Sequence, residues 1–173
     1  KTYQRNSMNT SEGSFNELTD RNISIDTAKK YGVKSVLNSD GSINSHIYPY
    51  YISNEMVGSK IRLTENKEFQ WKGTSKGTGL FGQNLFGTNG KFITLTEGEC
   101  DAMAAYQMLG SKWPVVSVKN GAGGGVKDVK ENLEYLESFE YVVIAFDNDK
   151  VGKDNARRVA RVLKPGKAKI LTL

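Results

Sequence analysis

The chain has 173 residues, of which 38% are hydrophobic, 10% aromatic and 25% charged, the balance of a soluble globular protein rather than a disordered segment. No apolar run approaches the ~20 residues needed to cross a bilayer, and no basic-then-apolar leader opens the chain, so neither a membrane span nor secretion is expected. A single cysteine, Cys100, excludes an internal disulfide framework or a Cys-based zinc site within these residues, and points to a reducing, cytoplasmic compartment. A first residue of Lys1 rather than Met predicts a fragment of a longer chain.

The net charge of +5 fits a polyanionic partner without specifying one. The excess is spread over both halves, with one local concentration: between Gly58 and Gly79, five cations (Lys60, Arg62, Lys67, Lys72, Lys76) stand against Glu65 and Glu68.

Residues 1–20, rich in Asn, Ser and Thr, show no periodicity and read as a linker or mobile arm. Ser24 to Tyr31 predicts a short helix, with Ser24 as N-cap and Gly32 as its stop. Three strand-like runs follow, His46–Ile52, Val57–Thr64 and Phe69–Lys72, separated by turn signals; they predict a small antiparallel meander within a unit spanning 21–90. Six glycines between Gly73 and Gly90 read as a long ordered loop or hinge, and the apolar Leu80, Phe81, Leu85 and Phe86 argue against a free linker.

From residue 91 to 173 the pattern changes to alternating strand and helix. Phe92–Thr96, Pro114–Val118, Tyr141–Phe146 and Lys169–Leu173 read as strands. Glu99–Leu109, Val126–Phe139 and Asn155–Leu163 read as helices. Four strands alternating with helices predict an α/β unit with a parallel sheet and right-handed crossovers.

Ligands of open parallel sheets bind beyond the carboxyl ends of the strands. Here those ends are acidic or glycine-rich. The first strand runs into Thr96-Glu97-Gly98-Glu99 and then Asp101, the second into Asn120 and Gly121–Gly125, the third into Asp147-Asn148-Asp149. Parallel pairing brings Glu97 and Asp147 to one edge although fifty positions separate them. Carboxylates so gathered repel unless a cation lies between them, and hard oxygen donors favour Mg2+ or Mn2+. Glu97 alone could merely complement a helix dipole; its joint placement with Asp147 and Asp149 carries the argument. The Gly121–Gly125 turn either cradles a phosphate or only makes room, and it matches neither common phosphate-loop spacing.

Lys60 and Arg62, two apart on one strand, share a face, and adjacent cations call for an anion such as a phosphate. Trp71, Phe69 and Tyr48 either stack bases or pack a core. His46 reads as structural, and Cys100 as a small buried hydrophobe.

These residues resemble a known family. Leu95-Thr-Glu97-Gly-Glu99-Cys-Asp101 followed by Phe146-Asp147-Asn-Asp149 resembles the Toprim signature, and more narrowly the primase half of phage primase-helicases and their Twinkle-like relatives. Arg21-Asn-Ile-Ser with Tyr31-Gly-Val, Lys60-Ile-Arg62, and Trp71 through Gly82-Gln83 are similar to that family's upstream segments. The resemblance implies a Toprim-type parallel sheet with flanking helices, preceded by a small α+β subdomain with an antiparallel meander. It implies that Glu97, Asp147 and Asp149 hold Mg2+ or Mn2+, that Asp101 supports them as a fourth catalytic carboxylate, and that Lys60, Arg62, Lys67 and Lys72 bind nucleotide or template. It further implies a single-stranded DNA template, ribonucleoside triphosphates, and a covalently linked helicase domain downstream. A zinc module is expected only before Lys1, and another acidic motif after Leu173.

The leading expectation is therefore RNA primer synthesis by metal-dependent nucleotidyl transfer, in the host cytoplasm if phage-encoded. A non-catalytic single-strand-binding module of a helicase is the first alternative; it gains nothing from clustered carboxylates facing a polyanion. A Toprim nuclease needs the same acidic motifs, and the stretch from Lys60 to Gln83 is what argues for the primase.

Overall fold

The computed structural model describes residues 13–172 of the chain. Two four-stranded sheets organise them. The first is antiparallel in the order β1-β2-β3-β4: β1 (Lys34–Leu37), β2 (Ile43–Ile52), β3 (Glu55–Leu63) and β4 (Phe69–Gly73). It is preceded by helix α1 (Ile25–Tyr31), whose Ser24 side chain accepts the Thr27 N–H and whose Gly32 closes it with a left-handed φ of 70°. The expected meander is thus present with one strand more than its sequence suggests, since β1 is too short to show alternation.

The second sheet is parallel throughout, in the order β6-β5-β7-β8, formed by β5 (Phe92–Thr96), β6 (Val115–Ser117), β7 (Tyr141–Ala145) and β8 (Ala168–Ile170). Helices α2 (Glu99–Met108), α3 (Gly121–Glu131), α4 (Leu133–Glu137) and α5 (Lys150–Ala160) connect these strands. Alternation of side chains across each strand divides the sheet between two cores. Ile93, Leu95, Val116, Val142 and Ile144 meet Val129, Leu136, Phe139, Val159 and Leu163 on the α3–α5 side. On the other side α2 packs Ala102, Met103 and Tyr106 against Tyr31, Tyr48, Tyr50 and Phe81, so the two sheets share a core.

The glycine-rich stretch joins them. Phe81 exchanges two backbone hydrogen bonds with Ser117 and lies fully buried, its ring 5.3 Å from Tyr31, 5.7 Å from Tyr48 and 6.0 Å from Tyr50. Of its two expected characters, ordered loop or hinge, the described contacts are those of an ordered loop.

Four expectations are corrected. The proposed arm is ordered from residue 13 onward: Ser14 pairs with Ser35, and Leu18, fully buried, pairs with Ile23. Its first twelve residues lie outside the described residues, as does Leu173. The Gly121–Gly125 turn is the first turn of α3 rather than a loop, and the long amphipathic run from Val126 divides at Asn132 into α3 and α4. Finally, α5 begins at Lys150 and not at Asn155, because Asp149 caps it by accepting the Gly152 N–H at 2.7 Å.

Candidate active site

The carboxyl ends of β5, β6 and β7 open onto a cavity of about 380 Å3 roofed by β3 and β4. Glu97, Asp101 and Asp147 line it, together with Glu99, Lys119, Lys60, Phe69 and Trp71. Parallel register explains the convergence: Thr96 is level with Ala145, so the residues that follow each strand leave the sheet side by side.

Three carboxylates this close disturb each other. Burial, then the charge of Asp147, then those of Asp149 and Asp101, push the Glu97 carboxyl above its ordinary range; a hydrogen bond from the Asp147 backbone opposes them. Asp101 is also raised, by burial first and Asp147 second, against a hydrogen bond from the Gly98 backbone and the Arg21 charge. Glu97 Oε2 is buried without a hydrogen-bond partner. A buried acceptor left unpaired costs about 1–3 kcal/mol, so this arrangement suits a cation better than it suits itself. The donors are all hard oxygens, which fits Mg2+ or Mn2+. Among the described residues no three Asp, Glu, His or Cys side chains already stand closely enough to hold a metal ion; mutual repulsion is a sufficient reason for carboxylates to stand apart.

Glycines bring the backbone in. A Cβ on Gly98 would lie 2.7 Å from Asp101 Oδ2, and one on Gly152 would strike the Asp147 carbonyl. Only side-chain-free residues let α2 and α5 begin so near the acidic groups.

Asp149 is placed differently from Glu97 and Asp147. Although Asp147 is as exposed as Asp149, only Asp149 stands outside the cavity lining, with one of its oxygens committed to the α5 cap. The cations also separate. Lys60 and Arg62 share a face of β3 with their cross-strand partners Trp71 and Phe69 and with Tyr48 and His46. Lys60 is buried and already has its anion: Nζ donates to Glu99 Oε1 at 2.7 Å and to the Lys119 carbonyl at 2.7 Å, and lies 4.3 Å from the Phe69 ring centroid. Glu99 therefore stands where the spacing called for a phosphate beside Lys60. Arg62 keeps a buried Nε with no hydrogen-bond partner. Lys67 sits exposed in the β3–β4 connection with a φ of 60°, and Lys72, opposite Ser59, points to the other face of the sheet.

Several contributors lie outside the residues expected to carry the site. Glu99 is buried and accepts from both Lys60 and Tyr50, whose hydroxyl stands 2.7 Å away. The Lys119 ammonium is buried too; it donates to the Thr78 carbonyl at 2.9 Å and faces Glu131 at 3.5 Å, tying the glycine-rich loop to the end of β6. Asp128 accepts the backbone N–H groups of Lys119 and Asn120 and fixes the turn that follows β6. His46 is fully buried between Tyr48 Oη (2.9 Å) and Asp20 (3.1 Å), and Tyr48 Oη also meets Cys100 Sγ at 3.2 Å. Cys100 is therefore a polar contact on α2 and not merely a hydrophobe. Lone polar residues of this kind carry no spacing signal; only their partners, distant in sequence, reveal them.

Comparison with known proteins agrees with this geometry. A family model described as Toprim-like matches residues 94–173. The DNA helicase/primase of Enterobacteria phage T3 is 32% identical over 166 residues, covering 94% of this chain and 28% of that protein. The crystal structure of the primase fragment of the bacteriophage T7 primase-helicase superposes with a TM-score of 0.82 at 34% identity, over 93% of this chain and 66% of that one. T7 primase domains bound to an RNA/DNA hybrid and dTTP, solved with a lagging-strand DNA polymerase, match at 0.81 and 34% over 93% of this chain and 81% of that one. A DNA primase domain from Pseudomonas aeruginosa, at 16% identity and a TM-score of 0.62, shares the fold. The chain spans little more than a quarter of the phage T3 protein it matches. With a Toprim-like match over its second half and 34% identity to T7 primase domains of which it covers 81%, the chain belongs to the Toprim-containing primases of phage primase-helicases.

Proposed function

We propose that this chain is the catalytic core of a phage-type DNA primase, joining ribonucleotides on a single-stranded DNA template. The observation that supports the reading most is the convergence of Glu97, Asp101 and Asp147 on one cavity, with Glu97 Oε2 buried and unpaired. Glu97 and Asp147, with the Asp149 oxygen not committed to the α5 cap, would hold Mg2+ or Mn2+, and Asp101 would keep them in place. When bound, such a metal acidifies the attacking 3′-hydroxyl and neutralises charge developing on the α-phosphate as pyrophosphate leaves.

The chain's own side chains position and exclude. Glu99 and Lys60 neutralise each other and lock the first turn of α2, which sets the distance of Glu97 and Asp101 from the opposing sheet. Arg62 supplies an uncommitted buried donor on the same face, suited to a phosphate oxygen. Phe69 and Trp71 give the cavity an aromatic wall against which a base can stack. In the whole protein the chain would be continuous with a helicase and would work in the host cytoplasm.

The test is extension of a diribonucleotide on single-stranded DNA with ribonucleoside triphosphates and Mg2+ or Mn2+, beside a Glu97→Gln control. Metal-dependent extension that the substitution abolishes supports the reading. Tight template binding without extension in either protein refutes it, and degradation of the template identifies a nuclease.

A further inference from the structure

Positive charge gathers around β3, yet the largest concentration lies elsewhere. From residue 150 to 169 the chain carries eight Lys and Arg residues against one acidic residue, Asp154, while its net charge overall is only +5. Most of these cations fall on α5 and the turn after it. Gly152, Asn155, Ala156 and Val159 face the core. Lys150, Lys153, Arg157, Arg161 and Lys164, at intervals of three and four, stand exposed along the other side, with Arg158 beside them.

Little in the protein neutralises this stripe. Arg157 pairs with Asp154 at 3.3 Å with both groups largely in solvent, and Lys164 pairs with Glu137 at 3.0 Å. Lys150, Lys153 and Arg161 form no ion pair among the described residues. Like charges arrayed along a helix repel, and a sequence that retains them is suited to a polyanion. The stripe also starts at the chemistry: Lys153 and Arg157 line a polar cavity of about 250 Å3 together with Asp147 and Asn148.

We propose that the exposed cationic face of α5 is a track for the phosphodiester backbone of single-stranded nucleic acid, leading to or from the carboxylate site. Its placement beside Asp147 takes meaning from the primase reading; the charge stripe itself does not depend on it. At 1.5 Å per residue, α5 is ~16 Å long, room for roughly three to five phosphates. The contacts are to backbone and not to bases, so the track adds affinity without sequence preference.

The experiment measures the affinity of the 173-residue chain for a fluorescent single-stranded DNA oligonucleotide across a salt series. The triple variant Lys153→Gln/Arg157→Gln/Arg161→Gln is compared with a charge-matched control, Lys29→Gln/Lys30→Gln/Lys127→Gln. Each lost phosphate contact lowers the slope of log K against log salt by ~0.7, so the α5 variant loses ~2 in slope and on the order of tenfold or more in affinity at 100 mM salt. The control keeps most of its slope.

Equal losses in both variants, or an unchanged slope in the α5 variant, overturn the proposal. Preserved oligonucleotide binding with lost binding of poly-glutamate overturns it in favour of an acidic protein partner. Affinity for a ribonucleoside triphosphate is measured alongside: loss confined to the triphosphate shows a subsite for the nucleotide alone and also overturns the track. Because the slope is read without turnover, an α5 effect that persists in a chain unable to extend a dinucleotide sinks the primase reading and leaves the track standing.

Discussion

Breaking the Lys60–Glu99 pair tests whether the antiparallel sheet is locked to the acidic edge. Both side chains are buried, the ion pair is 2.7 Å long, and the Tyr50 hydroxyl and the Lys119 carbonyl add a further hydrogen bond to each partner. Exposed pairs contribute about 0–1 kcal/mol. Removing one partner of a buried pair costs about 3–5 kcal/mol, because the other charge is stranded. Glu99→Gln keeps the shape and one acceptor, so a loss near 3 kcal/mol is expected, or ~6–12 °C in melting temperature for a domain of this size. Lys60→Met strands Glu99 and is expected to cost a similar amount. The double variant, with no charge left to strand, recovers at least ~2 kcal/mol relative to the sum of the single losses. Urea unfolding followed by circular dichroism gives all three values. Single losses below ~1 kcal/mol that add in the double variant would show a solvent-screened pair and refute the lock.

Other outcomes follow from the same structure. The Glu97 carboxyl has a raised pKa, so the stability it contributes is present below its ordinary value near 4.5 and is lost as pH rises through its folded value. Metal-free Glu97→Gln protein should therefore melt above the wild type at pH 8, with the difference vanishing near pH 4; a lower melting temperature at pH 8 would contradict this. His46 is shifted the other way: burial lowers its pKa against the pull of Asp20, with Arg62 and Arg21 adding to the depression. Its contribution is present above pH 6.5 and lost as pH falls through the folded value, so His46→Gln should lose less stability than wild type between pH 7 and pH 5 in thermal melts. Gly152→Ala sets a methyl against the Asp147 carbonyl, an overpacking worth about 1–3 kcal/mol, and should weaken Mn2+ binding as the β7–α5 turn shifts. Unchanged Mn2+ affinity in a folded Gly152→Ala protein would show that the turn does not position the site.

Much of this architecture can be read from residue patterns because local and tertiary preferences agree. The α1 caps at Ser24 and Gly32, the β5 span and the strand–helix alternation after residue 91 each carry a local signal that packing reinforces. The family likeness of Glu97, Asp101 and Asp147 is legible for the same reason. Elsewhere tertiary context outweighs propensity. Gly121–Gly125 is a poor helix former, yet Asp128, one turn further on, holds the Lys119 and Asn120 N–H groups and fixes the entry to α3. Residues 13–20 lack periodicity because single residues, Leu18 above all, do the anchoring. Lys60 shows how a face-sharing argument falls short: the spacing correctly places two cations together, but the anion that Lys60 meets lies thirty-nine positions away at Glu99, and Arg62 is left outside that pair. The α5 stripe was legible in its spacing and is obscured only by averaging charge over the chain's halves.

The central claim is that the carboxylates at the strand ends form one divalent cation site. Electron paramagnetic resonance of free Mn2+ during titration measures it directly in wild type and Glu97→Gln protein at pH 7.5. The account predicts one site in the wild type and at least tenfold weaker binding in the variant. Equal affinity in the two proteins would contradict it.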